Sequence, residues 1–281
     1  MQFFLRRIKV VLAGLIGSVI AAAANDGNDF IPGPCGRLST VLQLPKDFDV
    51  SRDKCPLVIV MHGVMSHKNV PPMPRIARRL VRNGFAVLRF DFNSQGKSDG
   101  DVLKCTIPSE IDDARAVYDY VRSLPFVSSV VLLGHSQGGV VAGMLAGRLA
   151  REGRAPDALV LLAPGAVLKD YALEGRFLGV ECDPVNPPEY VQVHWYKFSR
   201  EYILTAQTLP IFEESAWYEG PVCIVHGSAD KIVPVKYGRM YLDIWPSAGF
   251  SEIPGAGHLF TNRLGKVMAP VLGFLAERFP R

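Results

Sequence analysis

Three short stretches carry residues whose types and order suit acyl transfer: Gly134-His135-Ser136-Gln137-Gly138, His226-Gly227-Ser228-Ala229-Asp230 and Gly255-Ala256-Gly257-His258. A serine hydroxyl becomes a good nucleophile only when a base removes its proton. An imidazole does this well when a carboxylate fixes its tautomer and supports its charge. Ser136 stands in a G-x-S-x-G sequence between an apolar strand pattern, Val130–Leu133, and a small-residue helix pattern, Gly138–Arg151. That context fits a strained strand-to-helix turn, whose flanking glycines keep side chains out of the strand and helix.

Six histidines compete for the role of base. His135 neighbours Ser136 and must point elsewhere, His226 ends a strand pattern, and His67 and His194 lie in polar or irregular segments. His62 follows a strand and reads as a structural hydrogen-bonding residue. His258 lies in a small-residue loop between the run Phe250–Ile253 and the last helix pattern, Leu264–Phe279, so the serine–acid–base chain order selects it. Asp230 comes directly off the carboxyl end of the strand pattern Val222–Val225, where open α/β sheets place their sites. Its rivals Asp157, Asp170 and Asp183 precede or lie within an irregular stretch, and Asp243 falls on a helix pattern. The developing oxyanion needs two backbone N–H donors. Gln137 follows the nucleophile, and Val64 follows the His62-Gly63 pair after an early strand.

The elements that must hold these residues alternate regularly. Strand patterns at Leu38–Leu44, Leu57–Met61, Phe85–Phe90, Val130–Leu133, Ala158–Leu162 and Val222–Val225 are separated by helix patterns, including Arg75–Arg82 and one reaching Arg122. For the latter, Ser109-Glu110-Ile111-Asp112 reads as a start resembling a capping box. Continuous apolar strands alternating with helices predict an α/β fold with a mostly parallel, doubly wound sheet covered on both faces. Between about 168 and 217 the alternation fails in an aromatic, proline-bearing stretch, read as a small cap insertion over the site.

The composition sets bounds. The 281 residues, 48% of them hydrophobic, suit one large α/β domain. A net charge of +4 without a basic stripe interleaved with aromatics predicts no nucleic-acid partner. Residues 1–24 place Arg6, Arg7 and Lys9 before an apolar run and a final Ala22-Ala23-Ala24, the order of a secretory signal. The expectation is an exported chain, periplasmic or secreted, with a domain at 25–281 and membrane attachment only through an uncleaved leader. Of the five cysteines, Cys35 and Cys55 both precede the first core strand and could pair, while Cys223 reads as a buried hydrophobe. No metal-ligand spacing occurs, so neither metal nor cofactor is expected. Asp91–Gly100 (DFNSQGKSDG) lacks phosphate-loop spacing and reads as a turn beside the active-site face.

With these motifs in place the chain resembles the α/β-hydrolase superfamily and, within it, the bacterial cinnamoyl (feruloyl) esterases. The likeness runs from about Pro56 to Leu275 and includes RFDFNSQGKSDG, GHSQGGVVAGMLAG, LLAPGAVLKDYALEG, LPIFEESA and HGSADKIV. It implies an α/β-hydrolase fold with a cap closing over an aromatic acyl group. The resemblance places Tyr202 where a cap tyrosine holds the phenolic ring, and it places a carboxylate for phenol hydroxyls near Asp170-Tyr171. This chain departs from the family at Val64, where an aromatic residue is usual, and at Leu178, where a polar one is expected. The implied activity is carboxylic-ester hydrolysis through an acyl-enzyme, on a small-molecule or polysaccharide-linked ester. A general short- or medium-chain esterase, an acyltransferase and a non-catalytic binding protein on the same fold are the other readings.

Overall fold

The computed structural model describes residues 29–280. The leader-like residues 1–24 lie outside them. Eight strands form one sheet: β1 (Asp29–Gly33), β2 (Gly36–Gln43), β3 (Cys55–Met61), β4 (Ala86–Phe90), β5 (Val127–His135), β6 (Ala158–Leu162), β11 (Val222–Gly227) and β12 (Gly249–Ile253). Their order is β1-β2-β4-β3-β5-β6-β11-β12. β1 and β2 pair antiparallel, as do β2 and β4, and every later neighbour is parallel. The expected doubly wound, mostly parallel sheet is present.

Its central strands β3, β6 and β11 are largely apolar because both faces are covered. In β3, Leu57, Ile59 and Met61 enter the core under α2 (Ile107–Ser123) and α3 (Gln137–Arg151). Val58 and Val60, facing the other way, enter the core under α1 (Met73–Arg82) and α8 (Leu264–Arg278). This two-residue alternation is the strand period divided between two layers. Between β6 and β11 run α4 (Val167–Glu174), the two-residue strands β7 (Arg176–Phe177) and β8 (Val180–Glu181), the hairpin β9 (Tyr190–Val193) and β10 (Tyr196–Ser199), α5 (Arg200–Gln207) and α6 (Ile211–Ser215). α7 (Val235–Ile244) links β11 to β12. No helix among the described residues is long and apolar enough to cross a membrane.

Three expectations are corrected. The Gly- and Pro-rich residues Gly27 to Gly36, whose composition predicts a loop, contain β1, and Pro32 is accommodated because β1 is the sheet edge, where a missing N–H leaves no partner unpaired. The helix reaching Arg122 begins earlier than Ser109. Thr106 is its N-cap, accepting from the Ser109 N–H while the Ser109 hydroxyl accepts from the Thr106 N–H, and Pro108 fits the first turn. Cys35 and Cys55 are both free thiols. Cys35 lies in the exposed β1–β2 turn, at the sheet end where Gly36 packs against Asp99. Cys55 starts β3 at the opposite end, beside Val127, too far for disulfide geometry.

One buried ion pair fastens two loops at the carboxyl ends of the strands. Lys68, in the segment after β3, places Nζ 2.6 Å from Asp91 Oδ2 and 2.8 Å from Ser39 Oγ, and its N–H donates to Asp91 Oδ1 at 2.6 Å. Asp91 Oδ2 also accepts from the Lys97 N–H, so the DFNSQGKSDG turn is wound around this carboxylate. Both side chains are buried. Lys68→Ala leaves the Asp91 charge buried without its cation and lowers stability by about 3–5 kcal/mol, read from urea unfolding. A midpoint equal to that of the parent chain overturns this account of the two loops.

Candidate active site

Ser136 is the one residue between β5 and α3, and its backbone lies at φ 57°, ψ −126°. The glycines around it are required by close approach. A Cβ on Gly134 would stand 2.0 Å from the Gly138 carbonyl oxygen, and one on Gly138 would stand 2.4 Å from that of His62. The turn therefore lifts Ser136 off the end of the sheet while keeping strand and helix in contact.

The three residues selected from sequence meet at this point. His258 Nε2 is 2.9 Å from Ser136 Oγ, and His258 Nδ1 is 2.7 Å from Asp230 Oδ2. A carboxylate only accepts, so Nδ1 carries the proton and Nε2 is left to accept from the serine hydroxyl. Burial alone would raise the Asp230 carboxyl, but hydrogen bonds from His226 and His258 outweigh it and hold the group well below the usual carboxylate range. Its other oxygen accepts from the N–H groups of Ile232 and Val233, both at 2.9 Å.

The remaining core histidines are structural. His135 Nε2–H donates to the His258 carbonyl at 2.9 Å, with the two rings 4.8 Å apart. His226 Nε2 lies 2.8 Å from the Val233 carbonyl and 3.4 Å from Asp230 Oδ2. His62 Nδ1–H donates to the Gly63 carbonyl at 2.8 Å and Nε2 accepts from the Phe92 N–H. Burial lowers His135 to about 3 and His62 to about 4, so both stay neutral at neutral pH.

Val64 and Gln137 line the same cavity as Ser136, and no acceptor among the described residues takes either N–H. This cavity of about 60 Å³ is walled by apolar and aromatic side chains from the segment between β6 and β11, including Leu168, Tyr171, Phe177, Leu178, Phe198 and Tyr202. Phe198 packs between Phe177 and Tyr202, with ring centroids 5.2 and 5.0 Å away. Of the residues expected to touch substrate, Tyr202, Tyr171 and Leu178 border the cavity, and Asp170 does not. The Asp170 carboxylate instead accepts from the Tyr237 hydroxyl at 2.5 Å. The Tyr171 hydroxyl donates to the Ile232 carbonyl at 3.2 Å.

A buried polar chain behind the cavity was not anticipated. The Tyr202 hydroxyl donates to Gln137 Oε1 at 2.7 Å, Gln137 Nε2 donates to Glu110 Oε2 at 2.8 Å, and Gln95 Nε2 donates to Glu110 Oε1 at 2.9 Å. Its signal is present in the sequence. Glu110 shares the helix face of Ile107, Ile111, Ala114 and Val117, all buried, so a carboxyl interrupts an apolar stripe.

Comparison with known proteins agrees with this geometry. A family model described as Serine aminopeptidase, S33 (Hydrolase_4) matches residues 52–181. The structure of Est1E from Butyrivibrio proteoclasticus with ferulic acid bound superimposes with a TM-score of 0.82 at 31% identity, covering 89% of this chain and 98% of that one. Human Protein ABHD12B is 28% identical over 193 residues, 69% of this chain and 51% of that protein. The mouse mitochondrial palmitoyl-protein thioesterase ABHD10 is 26% identical over 192 residues, 65% of this chain and 61% of that protein. The chain thus spans only about half to three-fifths of these two relatives. It belongs to the α/β-hydrolase superfamily, among the serine hydrolases. Within that superfamily its likeness is to Est1E on one side and to ABHD proteins on the other.

Burial raises the Glu110 carboxyl from 4.5 to about 8, against the opposing hydrogen bond from Gln137, and it raises Asp113 from 3.8 to about 7. Between the unfolded and folded values, the folded chain keeps protons that the unfolded chain has released. Stability therefore falls as pH rises through this window and levels off above about pH 8. Glu110→Gln is expected to flatten part of the fall in urea midpoint between about pH 5 and pH 8, with Asp113 responsible for what persists. An unaltered slope in the variant counts against a protonated Glu110.

Proposed function

We propose that the protein is a carboxylic-ester hydrolase for esters with a flat aromatic or short acyl group, with feruloyl and cinnamoyl esters the leading candidates. The observation that carries this reading is the Ser136–His258–Asp230 chain opening onto a small cavity walled by aromatic and aliphatic side chains. The likeness to Est1E, whose structure holds ferulic acid, supports the aromatic acyl class. Ser136 attacks the ester carbonyl as His258 takes its proton, and Asp230 supports the imidazolium. The N–H groups of Val64 and Gln137 hold the oxyanion. His258 then protonates the departing alcohol, and water, deprotonated by the same imidazole, releases the acid. The order of residues 1–24 supports an exported enzyme.

A second reading, a short-chain esterase without phenolic preference, is favoured by the groups that surround the cavity. Leu178 offers no hydrogen bond, Asp170 is engaged by Tyr237, and the Tyr202 hydroxyl is committed to Gln137. A cavity of about 60 Å³ favours a small acyl group over a long fatty chain.

Steady-state hydrolysis of methyl ferulate, p-nitrophenyl butyrate and p-nitrophenyl palmitate separates these readings. Turnover of ferulate and butyrate but not palmitate, abolished in Ser136→Ala, is expected. Butyrate turnover alone removes the feruloyl assignment, and rapid palmitate turnover removes the small-acyl reading. Asp230→Asn is expected to lower kcat by on the order of 10⁴-fold, because the imidazole loses its fixed tautomer. A loss below tenfold means that another group orients His258.

A further inference from the structure

We propose that the open cleft on the far side of His258 is the leaving-group subsite and that it takes an alcohol bearing an anionic oxygen group, held by Lys231 and Arg263. This rests on the ester-hydrolase reading and specifies its other half. The cleft measures about 530 Å³, against about 60 Å³ for the cavity beside Ser136. His258 lines the cleft, Ser136 lines the cavity, and Ile232 borders both, so the two spaces adjoin at Ile232 with the base on the cleft side. His258 must protonate the departing oxygen, so the leaving group exits on the imidazole side. With the acyl group in the aromatic cavity, the alcohol is directed into the cleft.

The charge of that cleft has one sign. Lys231 and Arg263 line it with Asn262 and Thr261, and no Asp or Glu does. The adjacent Asp230 carboxylate is fully buried and spent on His258, His226 and two backbone N–H groups. Neither Lys231 nor Arg263 pairs with a carboxylate among the described residues, as the ion pairs there go to other cations such as Arg37, Arg115 and Arg239. Helix stability does not account for Arg263. It is the N-cap of α8 without a side-chain capping bond, at the helix end where the dipole disfavours a cation. Its guanidinium Nη2 lies 3.8 Å from where a Cβ on Gly255 would stand, so it folds over the loop that carries His258. Two unpaired cations flanking the base form a receptor for a carboxylate, sulfate or phosphate on the leaving alcohol.

Butyrate esters that differ only in the leaving group test this: 3-carboxy-4-nitrophenyl butyrate against its neutral 3-carboxamide counterpart. The parent chain should prefer the carboxylated ester at least ~10-fold in kcat/KM at low salt, and the preference should shrink at high ionic strength. Lys231→Gln and Arg263→Gln should each lower the ratio about threefold. Equal kcat/KM for the two esters, or a preference that survives both substitutions, overturns the proposal. Calorimetry of 3-carboxy-4-nitrophenol with Ser136→Ala reads the subsite without turnover. Binding weakened by Lys231→Gln supports it even if neither ester is hydrolysed, an outcome that would remove the hydrolase reading alone. Absence of binding overturns the subsite whatever the esters do.

Discussion

The backbone of one residue governs the site. Ser136 at φ 57° occupies a conformation that costs a non-glycine residue about 1–3 kcal/mol. Such strain persists only where the surroundings over-determine it. Here the Ser136 N–H donates to the Leu162 carbonyl at 3.0 Å, and its own carbonyl accepts from the N–H groups of Gly139 and Gly165, both at 2.8 Å. Those partners lie at the end of β6, just beyond it, and in the first turn of α3, so the turn depends on sheet register and helix docking together. The position of the hydroxyl is thereby set by the fold's most buried elements, with no loop free to adjust it.

Around that fixed point, two further buried imidazoles position His258 and Asp230. His135 is held from beneath by burial and grips the His258 backbone; His226 closes the turn that presents Asp230. Both hold their partners through N–H donation from Nε2. Cationic histidines here would compete with His258 for the Asp230 charge and weaken the support it gives the imidazolium. The low titration of His135 is thus consistent with Asp230 serving His258.

Most of this was legible in the sequence, for a physical reason. The nucleophile, acid and base each sit at the carboxyl end of a strand pattern, and glycine spacing reports close backbone approach directly. The same holds for the parallel sheet, whose doubly buried strands leave continuous apolar runs. Contacts that join distant parts of the chain were less accessible. Nothing local to Lys68 announces that Asp91 waits for it, and Cys35 and Cys55, near in sequence, are sent to opposite ends of the sheet by the reversal between β2 and β4. Glu110 lay between these cases, readable as a misplaced carboxyl on an apolar face although its partners were not.

The segment between β6 and β11 shows why substrate preference was the least legible feature. It is fastened to the core in two ways. The carbonyl of Glu214 packs where a Cβ on Gly147 would come within 1.9 Å, and Arg148 Nε pairs with Glu214 Oε2 at 2.7 Å. On the cavity side, the Tyr202–Gln137–Glu110 chain binds its aromatic wall to the residue that follows the nucleophile. The hydroxyl that the family resemblance would offer to substrate is therefore already spent on holding the wall in place. A buried hydroxyl cannot give the same proton to two acceptors. A phenolic substrate can donate its own proton to the Tyr202 oxygen, but to accept from Tyr202 it must break the Tyr202–Gln137 bond and leave the Gln137 oxygen without its donor. The Tyr202 proton thus serves to anchor the segment between β6 and β11 beside Ser136.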